Sequence, residues 1–374
     1  MTRPGVSRRR LIGACAAGLG IAGAAGSTWP ARAAEGGPPD PLDLAGTVFE
    51  AFRRHRLVAI GEYHGLQEHH DALVTLLTDP RFPELADDVV IEFGNSLHQD
   101  VADRFVLALQ PVQNAELRRV WRDNTNSPLA TWDEPAYENF FRVLRAANWR
   151  LPAGRRIRLL LADPPIDWAN ATTPGQVTSL RNQRDAFAAS LVEREVLSKG
   201  RRALICYGAS HVLHQAAGQP PPGGVVSLIE QQTGQRAFSL IALTPLAGDP
   251  GGTFGRLAHY PPGIVIPAAG TWLGPVNSGD VLSPVIAPGP SGQPANINCG
   301  VPLGSVIDGG LYLGQASDLT MSRPDPAIYL DQAYWAELQR RNILQGGVSD
   351  LNALRQEQSA RFTPQAVPPS LLCS

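Results

Sequence analysis

Leu57-Val58-Ala59-Ile60-Gly61-Glu62-Tyr63-His64-Gly65 is the stretch on which the fold turns. Four apolar residues run into a glycine, and an acid and a histidine follow. A short apolar run bounded by glycine reads as a buried strand. Glu62 and His64 then fall just past its carboxyl end, the edge at which open α/β sheets bind ligands. A carboxylate and an imidazole two residues apart supply either an acid/base pair or metal ligands.

The pattern recurs downstream. Asp88-Val-Val-Ile-Glu92-Phe-Gly94 is again an apolar strand with an acid at its end. Ile157–Leu161 leads to Asp163-Pro164-Pro165, Ala203–Tyr207 to Gly208-Ala-Ser-His211, and Phe238–Leu243 is a fifth strand. Between them lie helical patterns at 46–55, 69–77, 99–108, 137–148 and, most strongly, 181–197. Strands alternating with helices imply βαβ units. The expected fold is α/β, a mostly parallel central sheet flanked by helices. Parallel strands put all their carboxyl ends on one edge, so Glu62 and His64, Glu92, Asp163 and His211 should converge there.

The rest of the 374 residues bounds the problem. Ser7-Arg8-Arg9-Arg10 precedes a weakly apolar Ala/Gly run, and Ala31-Arg32-Ala33 offers a cleavage site. Residues 1–33 therefore read as a signal for the twin-arginine route, with a periplasmic or extracellular destination. Cleavage would remove five arginines and no acid, taking the net charge from −2 to −7. That balance argues against a nucleic-acid partner. No stretch beyond the signal reaches the roughly 18 apolar residues of a membrane span. Residues 34–44 read as a linker, 45–345 as one domain with a last strand at 311–313 and a closing helix at 329–341, and 346–374 as a C-terminal tail. Inside the domain, residues 245–305 hold 11 Pro and 12 Gly, far above the usual roughly 12% for the two together. This is an irregular Gly/Pro-rich insertion that cannot hold long helices and is placed to shape the specificity of a cleft. Cys206 sits in a strand-like run as a buried thiol. Cys299 and Cys373 lie in loop-like sequence, where an exported protein can pair them, although spacing alone does not establish it.

No Gly-x-Ser-x-Gly elbow, phosphate loop, dinucleotide fingerprint or His-Glu-x-x-His motif is present, so no nucleophilic serine or nucleotide site stands out. Candidate site residues are Glu62, His64, Glu92, Arg184 and His211, with Tyr63, Asp163, Asp185 and His214 as secondary candidates. Arg184 and Asp185 read either as a surface ion pair or, for Arg184, as a fixed donor to a developing oxyanion. His211 and His214 have the i, i+3 spacing that lets two side chains meet one ligand. Of the neighbours His69 and His70, at most one can face the site.

In order, Gly61-Glu62-Tyr63-His64-Gly65, Ile91-Glu92, Arg184-Asp185-Ala-Phe-Ala188 and Gly208-Ala-Ser-His211-Val212 resemble the motifs of the erythromycin esterase/ChaN-like superfamily, with its TraB-type relatives, over residues 45–215. The resemblance implies an α/β fold with the site at the sheet edge, and water activation by Glu62, His64, Glu92, Arg184 and His211. One residue separates Glu62 from His64, as in the ChaN and TraB branches rather than the esterases, which usually have two. The leading expectation is a hydrolase acting on a small molecule, with His64 as general base. A divalent metal held by His64, Glu92 and His211, or haem bound through Tyr63, are the alternatives; the first would leave an open position for water.

Overall fold

The computed structural model describes residues 42–128, 132–216, 223–288 and 294–373. The signal segment lies outside the described residues, as does the linker up to residue 41.

Among the described residues ten strands form: β1 Leu42–Asp43, β2 Leu57–Glu62, β3 Asp88–Asn95, β4 Arg158–Asp163, β5 Ala203–Gly208, β6 Phe238–Leu243, β7 Ile264–Pro267, β8 Ile286–Pro288, β9 Pro294–Asn296 and β10 Gly309–Tyr312. Eight build one sheet in the order β1-β7-β10-β6-β2-β5-β3-β4. From β10 to β4 every pair is parallel, and β7 and β1 add an antiparallel edge. β2, β3, β5 and β6 are buried along their whole length. This is why they read as unbroken apolar runs: a parallel strand covered on both faces has no solvent side to alternate with. Helices supply the cover. Ala188, Leu191 and Val192 of the helix Arg184–Glu195 and Val225, Val226 and Ile229 of Val225–Thr233 pack with Ala59, Ile205 and Ile241 in an aliphatic core. A second packing layer is aromatic. Phe93 at the end of β3 meets Tyr137 at 4.8 Å, Phe140 at 5.4 Å and Phe141 at 5.9 Å, all on the helix Pro135–Trp149. Each such ring pair is worth about 0.5–1.5 kcal/mol beyond its burial, so this layer is stiff where it backs the strand ends.

Local sequence explains the main departures from expectation. The helix foreseen over 181–197 is two helices, Pro174–Asn182 and Arg184–Glu195, broken at Gln183. The first starts at Thr173, whose hydroxyl accepts from the Gln176 backbone N–H in a capping box, with Pro174 at the first helical position. The break makes Arg184 a first-turn residue, which carries it to the carboxyl edge of the sheet. The segment at 99–108 is α-helical only over Gln99–Ala102 and continues as a π-helical turn to Leu107. The closing helix runs Gln332–Leu344, started by Asp331, which accepts from the N–H groups of Ala333 and Tyr334.

Residues 245–305 hold a five-residue helix, β7, the β8–β9 hairpin and 3₁₀ turns. The tail packs onto them. Leu246 bridges Gln365, Ser283 Oγ donates to Gln365, and Cys299 and Cys373 form a disulfide. Gly279 lies against that disulfide, where a Cβ would overlap the Cys373 sulfur. No described helix is long and apolar enough to cross a membrane.

Candidate active site

The sheet order decides what meets. β5 lies between β2 and β3, so Glu62, the last residue of β2, and Glu92, in the carboxyl half of β3, lie on the strands that flank Gly208. Pairing of β3 slips between Ile91 and Asn95, the irregularity that re-aims side chains beside sites, and Glu92 lies within it. The Gly208 N–H donates to Glu92 Oε2 at 2.7 Å. A Cβ on Gly208 would stand 3.0 Å from His64 Nε2 and 3.4 Å from Glu92 Oε2; glycine lets the imidazole and the carboxylate close over the strand.

Glu62 is buried and has three polar neighbours. His64 Nδ1 lies 2.7 Å from its Oε1, the Tyr137 hydroxyl donates to the same oxygen at 3.2 Å, and His70 Nε2 stands 3.4 Å from Oε2. Tyr137 in turn accepts from the Gly65 N–H. His64 packs edge-on against Trp132, with ring centroids 4.7 Å apart, and its side chain stays 41% exposed. Burial opposes charge on both groups, but the partners win. The hydrogen bond and charge of His64 bring the Glu62 pKa down to about 2. The charges of Glu92 and Glu62, with the Glu62 hydrogen bond, bring His64 up to about 9. At neutral pH the pair is carboxylate and imidazolium.

Glu92 sits one layer deeper. Its Oε1 accepts from Arg184 Nη2 at 2.5 Å, and His211 Nε2 and His64 Nε2 approach its two oxygens at 3.7 and 4.0 Å. The cations His64, His211 and Arg184 overcome its desolvation and lower its pKa to about 2. Arg184 Nε also donates to Asp163 at 3.3 Å, while Thr125 gives Asp163 its hydroxyl at 2.5 Å and its N–H at 2.7 Å. Burial still pushes the Asp163 pKa up to about 7. His211 Nδ1 is 2.6 Å from Asp185; burial is outweighed by Glu92 and Asp185, which raise its pKa.

Seven of the nine candidates, Glu62, His64, Glu92, Asp163, Arg184, Asp185 and His211, thus form one chain of contacts. Arg184 is neither a surface partner of Asp185 nor aimed at the cleft; both of its bonds go to buried carboxylates. Tyr63 lines the cleft but packs edge-on against Phe362 of the tail, 5.5 Å between centroids. His214 is elsewhere. The 3₁₀ turn Ala209–His211 stops short of it, so the expected helical spacing does not hold. It is 1% exposed and clamped by Glu230 at 2.9 Å and Asp308 at 2.8 Å, and it shares no ligand with His211.

Sequence reading missed Tyr137, Trp132, Thr125 and Glu134. Of the adjacent histidines, His70 turns to Glu62; His69 is buried with neither ring nitrogen hydrogen-bonded, and burial takes its pKa down to about 4. Glu134 is a half-buried acid with Arg323 3.7 Å away, and desolvation pushes its pKa up to about 8. No local pattern marks these side chains, because they come from helices and loops whose own sequence is ordinary.

The cleft holds about 360 Å³ and is lined at its inner end by Glu62, Tyr63, His64 and Gly208. Its outer wall is Val281, Leu282, Ser283, Val285 and Asn298, from the Gly/Pro-rich insertion. Among the described residues no group of three or more His, Cys, Asp and Glu side chains is arranged to hold a metal ion. At Glu92 the cationic partner is Arg184. Ligand pockets run from roughly 300 to 1,000 Å³, and this cleft, at the small end, with Tyr63 packed edge-on against Phe362, does not fit a macrocycle as large as haem. Cys206 is the one unpaired cysteine among the described residues. It is buried in β5, and burial pushes its pKa up, so it is no nucleophile.

No family model matches the chain, and no curated protein matches its sequence. Solved structures resemble the chain only distantly. The C-terminal region of Pasteurella multocida toxin, described as having a thiol-protease like catalytic triad, is 12% identical with a TM-score of 0.36; the match covers 54% of this chain and 25% of that one. The chain thus spans about a quarter of that toxin structure. ChaN of Campylobacter jejuni, described with cofacial haem binding, is 14% identical with a TM-score of 0.36, over 56% of this chain and 93% of that one. A Bacillus cereus protein is 10% identical with a TM-score of 0.42, over 69% and 88%. These likenesses concern the α/β fold alone.

Proposed function

We propose that this protein is an exported hydrolase that uses the Glu62–His64 pair to activate water against a small ester or amide. One observation carries the reading: a histidine with Nδ1 fixed on a buried carboxylate and its ring exposed in a cleft. Such a carboxylate orients the imidazole and stabilises the imidazolium that forms when His64 takes a proton. Neutral His64 is the base; protonated His64 then returns the proton to the leaving group. His211, tied to Asp185, and Arg184, tied to Asp163, hold Glu92 ionised behind it, and Glu92 steadies the charged imidazole. The Cys299–Cys373 disulfide supports export, because such bonds persist in oxidising compartments.

The test is hydrolysis of 4-nitrophenyl acetate by the purified protein. His64→Ala should lower kcat/KM by roughly 10²–10⁴-fold, the range of a positioned acid/base group, with an unchanged circular dichroism spectrum. A folded His64→Ala variant that hydrolyses this ester at the parent rate sinks the assignment.

A further inference from the structure

Resting on the hydrolase reading, we infer the substrate class: the group next to the scissile bond is an uncharged, chain-like apolar group that lies along the wall built by the Gly/Pro-rich insertion. The charge distribution of the cleft carries this. Its only ionisable carboxylate and imidazole, Glu62 and His64, sit at the inner end and neutralise each other. Every other lining side chain is uncharged, and the wall away from His64 is apolar, with Leu213, Ala242, Val281, Leu282 and Val285. A charged substituent seated there would be desolvated with no partner, which is strongly unfavourable. Ser283 and Asn298 do not change this: the Ser283 hydroxyl is given to Gln365 and the Asn298 amide to the Ser283 carbonyl.

The apolar surface also runs outward. Val285 is 37% exposed, and next to it Ile286, opening β8, is 47% exposed. Exposed apolar side chains continuous with a cleft mark a binding surface rather than a folding requirement. The wall is held rigidly for that task. Ile297 N–H bonds the Val285 carbonyl, Gly279 N–H bonds the Asn298 carbonyl, and the disulfide fastens Cys299 to the chain end. A preorganised wall binds a flexible chain without being ordered by it.

The experiment uses 4-nitrophenyl esters from acetate to octanoate on the full protein. Burial of each methylene should raise kcat/KM about fourfold until the chain leaves the wall, and an ω-carboxylate on the chain should abolish the gain. Val285→Asp should flatten the series, read as the ratio of octanoate to acetate kcat/KM in the variant against the same ratio in the parent. A flat series in the parent protein, or one that Val285→Asp leaves as steep, overturns the inference. If no ester is hydrolysed, binding of N-alkylacetamides by calorimetry separates the two claims. Affinity that rises with chain length and is lost in Val285→Asp upholds the wall and fails the hydrolase; affinity independent of length fails the wall too.

Discussion

Strand β3 carries a buried carboxylate near each end, and the two are wired differently. At the amino end Asp88 is fully buried between two arginines: Arg158 Nε at 2.9 Å, and Arg201 Nε and Nη2 at 2.6 and 2.9 Å. At the carboxyl end Glu92 has one arginine, one backbone N–H and two imidazoles at 3.7 and 4.0 Å. Guanidinium keeps its charge at any working pH, so Asp88 is a fixed structural tie. Imidazole changes charge between pH 5 and 9 in such settings, so Glu92 sits in a network that can move protons. Both ends hold a buried acid; only one holds it with groups that titrate beside a cleft.

The largest effect expected from this contrast is on activity. Glu92→Gln keeps the size, turns one of two accepting oxygens into a donor facing Arg184 or the Gly208 N–H, and removes the charge that steadies protonated His64. It should cost at least about 10²-fold in kcat/KM, the lower bound for losing a tuned acid/base. Asp88→Asn should leave kcat/KM within about twofold of the parent. Equal losses at the two positions would show that the carboxyl end is no more functional than the amino end.

Stability should invert that ranking. Asp88→Asn strands two guanidiniums that are only 21% and 32% exposed. Breaking a buried pair costs about 3–5 kcal/mol, and the lower end applies because both arginines still touch water. Urea titration at pH 7 reads this directly. A change below about 1 kcal/mol would mean that the amino-end tie is dispensable.

The two ends also differ in pH response. His64 carries a pKa raised to about 9, and the base form is the deprotonated one, so kcat/KM should climb with pH and level off near 9. Removing a neighbouring negative charge lowers that pKa, so the inflection should move down in Glu62→Gln and stay in place in Asp88→Asn. The sign for stability is opposite on the acid side. Glu62 and Glu92 have folded pKa values depressed from 4.5 to about 2. Their contribution is complete above about 4.5 and is lost as pH falls toward 2. Unfolding midpoints measured between pH 6 and 2.5 should fall less in the Glu62→Gln/Glu92→Gln double variant than in the parent.

How far this was legible in the sequence follows the same physics. Glu92 was visible because an acid closing a run of Val, Val and Ile is anomalous for a buried strand. Glu62 and His64 were visible for the same reason, and Phe238–Leu243 was read to the residue. Asp88 was not singled out, since an acid opening a strand looks like any loop boundary, and its two arginines are 70 and 113 positions away. His214 was misplaced because i, i+3 spacing says nothing about whether a helix exists there. Tyr137 and Trp132 touch the site only through the packing of Pro135–Trp149 on the sheet, which no local pattern records. The disulfide between Cys299 and Cys373 needed the tail to fold back over the insertion.

The smallest expected effect isolates burial from pairing. Glu50 joins Arg53 and Arg54 at 2.8 Å each, the same two-arginine arrangement as Asp88, but on a helix surface where Glu50 is 37% and the arginines 70% and 49% exposed. Water already solvates all three ions there, and holding three long side chains together costs rotamer freedom. Glu50→Ala should therefore change the urea unfolding free energy by less than about 0.5 kcal/mol, against about 3 kcal/mol for Asp88→Asn. Were the two losses alike, the number of arginines around a carboxylate would set its contribution. If they differ as expected, it is exclusion from water that makes a charged residue at a strand end consequential. By that criterion Glu92, 1% exposed, ranks with Asp88 at 0%, and what sets it apart is the pair of imidazoles, His211 and His64, at 3.7 and 4.0 Å.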